Sequence, residues 1–171
     1  MPAVVAAACL PAVRRMEFPS ACRVTFGTYA ACVAPAPLDD MNALLDVVVP
    51  AAKGLIDEDG SFAPFGAVAD TNGEIKLVVP TSQEEDVPME RVLEGLNEVI
   101  QESALEQSIR AAAVCTDVHM REPTETDAIH VLLEHADAEP LSVLIPYATR
   151  GSLPTRYGEH IIQPAEPEIF S

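Results

Sequence analysis

Three residues with chemically active side chains lie close together in the sequence: His130, Glu134 and His135. Zinc metallopeptidases place two histidines four residues apart on a helix, with a glutamate beside one of them. Here the histidines are five residues apart, so the sequence matches neither H-E-x-x-H nor H-x-x-E-H. On a strand, whose side chains alternate between faces, His130 and Glu134 share one face and His135 points to the other. The pattern therefore does not predict a metal site.

Two further polar residues, Asp117 and His119, fall on one face of a strand predicted over residues 109–120. If that strand lies beside the strand of His130 and Glu134, the four side chains could converge on one face of the sheet. Two histidines and two carboxylates are sufficient to bind a metal ion or to transfer protons. The competing interpretation is an exposed polar sheet face without chemistry. The candidate site residues, none of which is assigned a catalytic role, are His119, His130, Glu134 and Tyr147.

The sequence contains no recognised catalytic or cofactor-binding motif. No serine lies in a G-x-S-x-G turn, and there is no glycine-rich phosphate-binding loop. Cys115 has candidate histidine partners, but nothing marks it as an activated nucleophile. The four cysteines form no C-x-x-C pair and match no zinc-ribbon spacing, which indicates reduced thiols in a cytoplasmic protein. The sequence thus predicts no cofactor and no bound metal.

The chain is strongly acidic, with 27 Asp and Glu residues against 10 Lys and Arg and a formal net charge of -17. Residues 1–40 contain three residues of each sign, so the acidic excess lies entirely after residue 40. Binding to nucleic-acid phosphates requires the opposite charge, and no segment is long and apolar enough to span a membrane. The composition favours either solubility alone or docking to a protein with a basic surface.

Alternating apolar residues predict two adjacent strands over residues 126–147, around which the rest of the chain is organised. Both strands are apolar enough to lie near the middle of a sheet. The turn between them is predicted over residues 137–140, and Pro146, which has no N–H to donate, is expected to end the second strand or to lie at an edge of the sheet. The residues predicted to share one buried face are Ile129, Val131, Leu133, Leu141, Val143 and Ile145.

Two helices and a further hairpin are predicted before these strands. The first helix is expected to begin near Met41, with Asp39 or Asp40 as its cap, to kink or break at Pro50 and to end at Gly60. Asn72-Gly73 between two apolar runs is a strong hairpin signal. The second helix is expected to end near residue 108. Its solvent face is predicted to be an acidic ridge formed by Glu90, Glu94, Glu98, Glu102 and Glu106.

These elements predict an α+β domain with an antiparallel sheet of about five strands and two helices on one face. A last strand is expected over residues 156–162, and Ile169 and Phe170 are expected to pin the tail to the domain. The element order α-β-β-α-β-β-β is shared with profilin-like and roadblock-like domains, an analogy of topology that carries no function. Residues 1–40 are predicted to be a poorly ordered or spurious extension, and residues 41–171 a single domain.

Residues from about Met41 to Phe170 resemble a bacterial family of small, acidic, uncharacterised proteins. The signatures that carry the resemblance are Phe62-Ala-Pro-Phe-Gly66, Leu133-Glu134-His135 and Pro146-Tyr147. The likeness covers about three quarters of the chain and leaves out the first forty residues, which favours Met41 as the natural start. It implies a domain boundary and no mechanism.

Two functional hypotheses follow from the sequence. The first is a non-catalytic cytoplasmic module that binds another protein with a basic surface or associates with itself; one version is an immunity-type protein that masks a basic toxin. The second is a small metal-binding protein or enzyme that uses the His/Glu sheet face. The sequence alone does not decide whether the protein is an enzyme, and it gives no support for nucleic-acid or membrane binding.

Overall fold

The computed structural model describes residues 36–80, 87–122 and 125–171. The described residues form an α+β domain with two helices and one antiparallel sheet of seven strands. The helices are α1 (Pro37–Asp59) and α2 (Met89–Leu105). The strands are β1 (Phe65–Asp70), β2 (Ile75–Val78), β3 (Ile109–Met120), β4 (Thr126–His135), β5 (Ala138–Arg150), β6 (Leu153–Tyr157) and β7 (Ile161–Pro164).

The two predicted central strands, β4 and β5, pair with each other in the middle of the molecule. Val131 lies opposite Val143, and both side chains are almost fully buried, at 0% and 1% exposure. The predicted alternation is confirmed, because Ile129, Leu133 and Ile145 join them in one buried cluster. The predicted bounds of β3 are also confirmed. Side chains that are apolar on alternate positions bury one face of each strand, and this burial fixes the register of the pairing.

The two helices lie on opposite faces of the sheet, and the prediction of both on one face is wrong. On the first face, α1 packs through Leu44, Val48 and Ile56 onto the side chains of β1, β3 and β4 that include Cys115 and Val131. On the second face, α2 packs through Leu96 and Ile100 onto Val68, Ala112, Val114 and Leu132, together with Ile169 of the tail. The physical reason is that β3 and β4 carry apolar side chains on both alternations, so neither face can stay in water.

The strand order in the sheet is β2-β1-β3-β4-β5-β6, and β7 pairs with β5 beside β6. The described chain thus contains seven strands rather than about five, and the observed element order is α-β-β-α-β-β-β-β-β. The strand predicted over residues 156–162 is two short strands separated by residues 158–160. The predicted turn at 137–140 is also corrected, since the turn is Ala136-Asp137 and β5 already begins at Ala138.

Pro146 lies inside β5, which continues to Arg150, so the prediction that it ends the strand is wrong. Its carbonyl oxygen accepts a hydrogen bond from the N–H of Gly158 at 2.7 Å, in the gap between β6 and β7. In an antiparallel strand the N–H and C=O of one residue point to the same side. The missing N–H therefore faces the gap and not the ladder with β4, which is why this proline is tolerated.

Helix α1 begins before Met41. Its N-cap is Ala36, and the proposed caps Asp39 and Asp40 lie inside the first turn, so the predicted start and cap are wrong. The helix passes through Pro50 without a break. It ends, as predicted, at Gly60, whose φ of 82° is the left-handed conformation that glycine adopts without steric cost. Residues 1–35 of the predicted extension lie outside the described residues.

The Phe62–Gly66 signature closes the end of α1 over the sheet. The rings of Phe62 and Phe65 are buried and meet edge to face, with centroids 5.6 Å apart. Gly66 lies on the opposite face, under α2. A side chain at Gly66 would place its first carbon 2.9 Å from the carbonyl oxygen of Ala113 and 3.0 Å from Cδ1 of Ile100. Glycine at this position therefore allows α2 to approach the sheet.

The Asn72-Gly73 hairpin between β1 and β2 is confirmed. Gly73 has a φ of 84°, and its N–H donates to the carbonyl oxygen of Asp70 at 2.9 Å. The carboxylate of Asp70 accepts hydrogen bonds from the backbone N–H groups of Asn72 and Glu74 and so fixes the turn.

In the part of the chain that the structure describes, no helix is both long and apolar enough to cross a membrane.

Candidate functional site

The four candidate residues named from the sequence do not share one face of the sheet. In the register of β3 and β4, Thr116 lies opposite His130 and His119 lies opposite Asp127. Because directly opposite residues point to the same side, His119 lies on the α1 face and His130 on the α2 face. Glu134 shares the α2 face with His130, and Tyr147 shares the α1 face with His119. The structure therefore provides two separate polar groups, one on each face.

Glu134 is a buried structural carboxylate that holds the end of the chain. Its side chain is surrounded by the backbone N–H groups of Glu168, Ile169 and Phe170, and the residue is only 2% exposed. The Glu168 N–H donates to Oε1 at 2.7 Å, the Ile169 N–H to both oxygens at 3.0 Å, and the Phe170 N–H to Oε2 at 3.1 Å. Such a nest of N–H groups stabilises a buried negative charge without a cation. All of these contacts bind the tail, so Glu134 has a fastening role.

Helix α2 also contacts the tail. The side-chain amide of Gln101 donates to the carbonyl oxygen of Glu168 at 2.7 Å, and that of Asn97 donates to the Glu168 carboxylate at 3.3 Å. Between these contacts, the side chain of Ile169 is buried against the second core cluster. The prediction that Ile169 and Phe170 pin the tail is confirmed. The tail and α2 together cover the second face of the sheet.

His130 lies between two hydroxyl groups on the α2 face. Its Nδ1 is 3.3 Å from Oγ1 of Thr116, and its Nε2 is 2.9 Å from Oγ of Ser142. Burial lowers the pKa of His130 below its ordinary value of 6.5, and the negative charge of Glu168 opposes this effect. Both ring nitrogens therefore have neutral partners in an environment that favours neutral imidazole.

A row of polar side chains crosses the α1 face at the end of the sheet. The backbone register aligns His119 with Asp127, Asp127 with Tyr147, and Tyr147 with Tyr157. The His119 ring is half exposed; Nδ1 lies 2.8 Å from Oδ1 of Asp127, and Nε2 lies 3.4 Å from Oε1 of Glu125. Hydrogen bonds with Asp127 and then Glu125 raise the pKa of His119 above 6.5. We call His119, Glu125, Asp127, Tyr147 and Tyr157 the polar row.

The phenol of Tyr147 connects the polar row to Asp117, to which it donates a hydrogen bond at 2.8 Å. Burial raises the pKa of the Asp117 carboxyl, while the Tyr147 hydrogen bond and a backbone hydrogen bond from Phe62 lower it. Burial, and then the hydrogen bond to Asp117, raise the pKa of Tyr147 well above its ordinary value. Neighbouring groups with shifted pKa values are compatible with proton transfer, although structural networks shift pKa values in the same way.

Tyr157, at the other end of the polar row, ties β6 to helix α1. Its hydroxyl donates to the Asp57 carboxylate at 3.1 Å and lies 3.2 Å from the carbonyl oxygen of Lys53. The Lys53 ammonium lies 4.7 Å from the centre of the Tyr157 ring, within the range of a cation–π contact. Burial followed by the Asp57 hydrogen bond raises the pKa of Tyr157 to about 12. This end of the polar row has a structural role.

A second buried network, which the sequence did not predict, joins α1 to the β4–β5 turn. Asp40 accepts from Arg110 at 2.7 Å through one oxygen and from Nε2 of His135 at 3.2 Å through the other. Nδ1 of His135 accepts from the backbone N–H of Asp137 at 3.0 Å, so the proton of the neutral ring is on Nε2. Neither nitrogen is free to act as a base, and the network is structural.

Neither a reactive thiol nor a metal centre is found among the described residues. Cys115 is fully buried, and burial raises the pKa of its thiol far above the ordinary value, which opposes thiolate formation. Within residues 36–80, 87–122 and 125–171, no three His, Cys, Asp or Glu side chains are arranged to hold a metal ion.

The predicted acidic ridge is present on the solvent side of α2. Glu90, Glu94, Glu98, Glu102 and Glu106 are all exposed, while Leu96 and Ile100 face the sheet. The described residues supply one cation to this ridge, Arg91, whose guanidinium lies 3.7 Å from the Glu94 carboxylate. The ridge is thus a surface with an unbalanced negative charge.

Comparison of the chain with protein-family models found no match, and comparisons with curated proteins and with solved structures found none either. The family resemblance carried by the Phe62–Gly66, Leu133–His135 and Pro146-Tyr147 signatures stays a prediction. In the structure, the aromatic rings of Phe62–Gly66 close the end of α1 over the sheet. Leu133–His135 is the end of β4 that holds the tail, and Pro146-Tyr147 lies in β5 beside the gap between β6 and β7.

The residues that the sequence reasoning missed are Asp40, Arg110 and the tail backbone around Glu168. The sequence predicts Asp40 only as a possible cap, and Arg110 is the second residue of an alanine-rich strand with no visible partner. A usable signal existed in Glu134: a glutamate within an otherwise apolar strand must be satisfied if the strand is buried on both faces. The sequence does not show that its partners are backbone N–H groups at the far end of the chain.

We expect Glu134→Gln to lower the free energy of unfolding by about 1.5–3 kcal/mol, because the amide presents a donor to backbone N–H donors. Chemical denaturation measures the change. The matched control is Glu139→Gln, at an exposed position on the next strand, which removes the same charge. Equal stability of wild type and Glu134→Gln would contradict the fastening role.

We expect His119 to titrate above pH 6.5 and His130 below it in an NMR titration. Protonated His119 favours the folded state at pH values below 6.5, and this contribution is lost as the pH rises through the folded-state pKa. Protonation of His130 opposes folding, and its effect grows as the pH falls from 6.5 through the lowered pKa. Asp127→Asn should lower the midpoint of His119 and leave that of His130 unchanged. A reversed order of the two midpoints would refute the assignment of both sites.

Proposed function

We propose that the protein is a non-catalytic module that binds another protein, and that the acidic ridge of α2 is its docking surface for a basic partner. The observation that supports this proposal is the line of five exposed glutamates with one described counter-ion. Opposite potentials on two surfaces steer association and disfavour partners of the wrong charge. An immunity-type protein that masks a basic toxin is one protein of this kind.

The ridge is unfavourable for the helix that carries it. Like charges four residues apart destabilise a helix by about 0.2–0.5 kcal/mol per pair. The ridge continues to Glu102 and Glu106 at the C-terminal end, where the helix dipole disfavours negative charge and where α2 has no basic residue in its last turn. Because these charges lower the stability of α2, a contribution to helix stability does not explain them. A basic partner would remove the repulsion on binding.

The deeply buried polar groups have structural partners, which also favours a binding function over catalysis. Glu134 binds the tail backbone, Asp40 binds Arg110 and His135, and His135 also binds the N–H of Asp137 in the β4–β5 turn. These groups would have to break contacts within the fold before they could act on a substrate. Surface docking by α2 requires no such change.

The alternative, a small metal-binding protein or enzyme, is favoured by one observation. The polar row and Asp117 place an exposed histidine, a tyrosine and carboxylates at one end of the sheet, with raised pKa values at His119 and Asp117. Zinc added to the NMR titration sample tests this alternative. A saturable shift of His119 that disappears in Asp127→Asn would support it, and an unchanged His119 signal would end it.

The docking proposal is tested with two triple variants of equal net charge. The first, Glu94→Gln, Glu98→Gln and Glu102→Gln, neutralises the middle of the ridge. The matched control is Asp46→Asn, Glu58→Gln and Asp59→Asn, which neutralises three exposed acids of α1. With a lysine-rich helical peptide as the probe, we expect about tenfold weaker binding for the first triple variant and little change for the control. Calorimetry measures the affinity, and amide shifts locate the contact.

Binding that weakens equally in both triple variants would show a response to net charge alone and would contradict a docking surface on α2. Binding that maps away from α2 would contradict it as well. The same two variants, used as baits beside the wild type, test any protein captured from cells. A true partner is retained by the wild type and by the α1 control and is lost by the ridge variant.

A further inference from the structure

The edge of the sheet at β7 is exposed and carries no charged side chain of its own. Strand β7 pairs with β5 on one side, and no other described strand pairs with its outer side. All four of its residues are exposed, including Ile161 at 39% and Ile162 at 60%. Proteins usually protect such edges with charged side chains, and β7 contains none. The opposite edge, β2, carries Lys76.

The hydrogen-bond pattern shows which backbone groups of β7 point outward. The Ala165 N–H donates to the carbonyl oxygen of Pro140 at 3.1 Å, which places residue 165 in a bonded pair. Bonded and non-bonded pairs alternate along an antiparallel ladder. The pair of Gln163 with Ser142 is therefore bonded, and the pair of Ile162 with Val143 is not. It follows that the N–H and C=O of Ile162 both point away from β5.

We propose that β7 pairs antiparallel with β7 of a second copy of this chain, on a two-fold axis at Ile162. At that axis the Ile162 N–H of each copy donates to the Ile162 carbonyl oxygen of the other. Residue 160 of each copy then lies opposite Pro164, whose carbonyl oxygen points outward and accepts from the N–H of residue 160. Pro164 has no N–H to donate in return, so the pairing between the two copies ends at this position. A closed two-fold pair requires this kind of self-complementary edge.

The side chains and the local charge agree with this partner. Directly opposite residues of a pair point to the same face, so the two Ile162 side chains meet, and each removes apolar surface of the other from water. Residues 150–165 contain Arg150, Arg156 and one acid, Glu159, within a chain of net charge -17. Two copies can therefore approach at this edge without the repulsion that the rest of the acidic surface would cause. A basic partner is disfavoured here for the same reason.

A contact of four residues per copy is smaller than the roughly 800 Å² per partner of a typical stable interface. The dimer is therefore weak and forms at high concentration. This inference does not rest on the docking proposal, because α2 packs on β1 and β3 and not on the β7 edge. The failure of either proposal leaves the other intact.

Analytical ultracentrifugation of the full chain over a roughly hundred-fold range of concentration tests the dimer. For the wild type we expect the average mass to rise from 18.3 kDa toward twice that value. Ile162→Pro removes the outward N–H and no bond to β5, so it should remain folded by circular dichroism and monomeric throughout. Leu105→Ser, which removes an exposed apolar side chain at the end of α2, is the control and should dimerise like the wild type.

Ile162→Lys is the second variant in case Ile162→Pro does not fold. It keeps the N–H but places two like charges opposite each other at the axis, and we expect loss of the dimer, restored in part by high salt. A wild-type chain that stays monomeric over the whole range overturns the proposal, even if it pairs with a strand of another protein. A dimer that persists in both Ile162 variants, or that Leu105→Ser abolishes, overturns it as well.

Discussion

The fold depends on two central strands that are apolar on both faces. In β3 and β4, alternate residues such as Ala113 and Val131 face α1, while Val114 and Leu132 face the other way. A sheet that is apolar on both faces must be covered on both, because exposed apolar surface is unfavourable in water. Helix α1 covers the first face. The second is shared between α2 and the C-terminal tail, and this division explains the position of the buried carboxylate of Glu134.

The buried charge of Glu134 is the means by which a short, irregular tail serves as part of the core cover. A segment without regular structure has no ladder to satisfy its backbone, and burying its N–H groups would be costly. The carboxylate satisfies three successive N–H groups, and those groups in turn stabilise the charge. Because the buried polar groups already bind other parts of the fold, the proposed functions and contacts involve groups at the surface. These are the acidic ridge on α2, the polar row on the α1 face, and the β7 edge.

The features that the sequence predicted are those set by neighbouring residues. The alternation of Val131 and Val143, the bounds of β3 and the turn at Gly73 each depend on local spacing or conformational preference, and each is confirmed. The features that it did not predict depend on residues far apart in the chain. His135 binds Asp40 across 95 positions, and Glu134 binds Ile169 across 35. The proposed convergence of His119 with His130 failed because the register of β3 and β4 places them on opposite faces, and spacing within each strand does not determine that register.

Hydrogen exchange of the native protein, resolved by residue with NMR, tests the central claim that the tail is part of the core cover. We expect the Ile169 amide, close to the chain end, to exchange slowly and within the same range of opening free energies as the amides of Val131 and Leu133 in β4. An Ile169 amide that exchanges at the rate of an unstructured terminus, while β4 remains protected, would show that the second face is closed without the tail and would contradict this account.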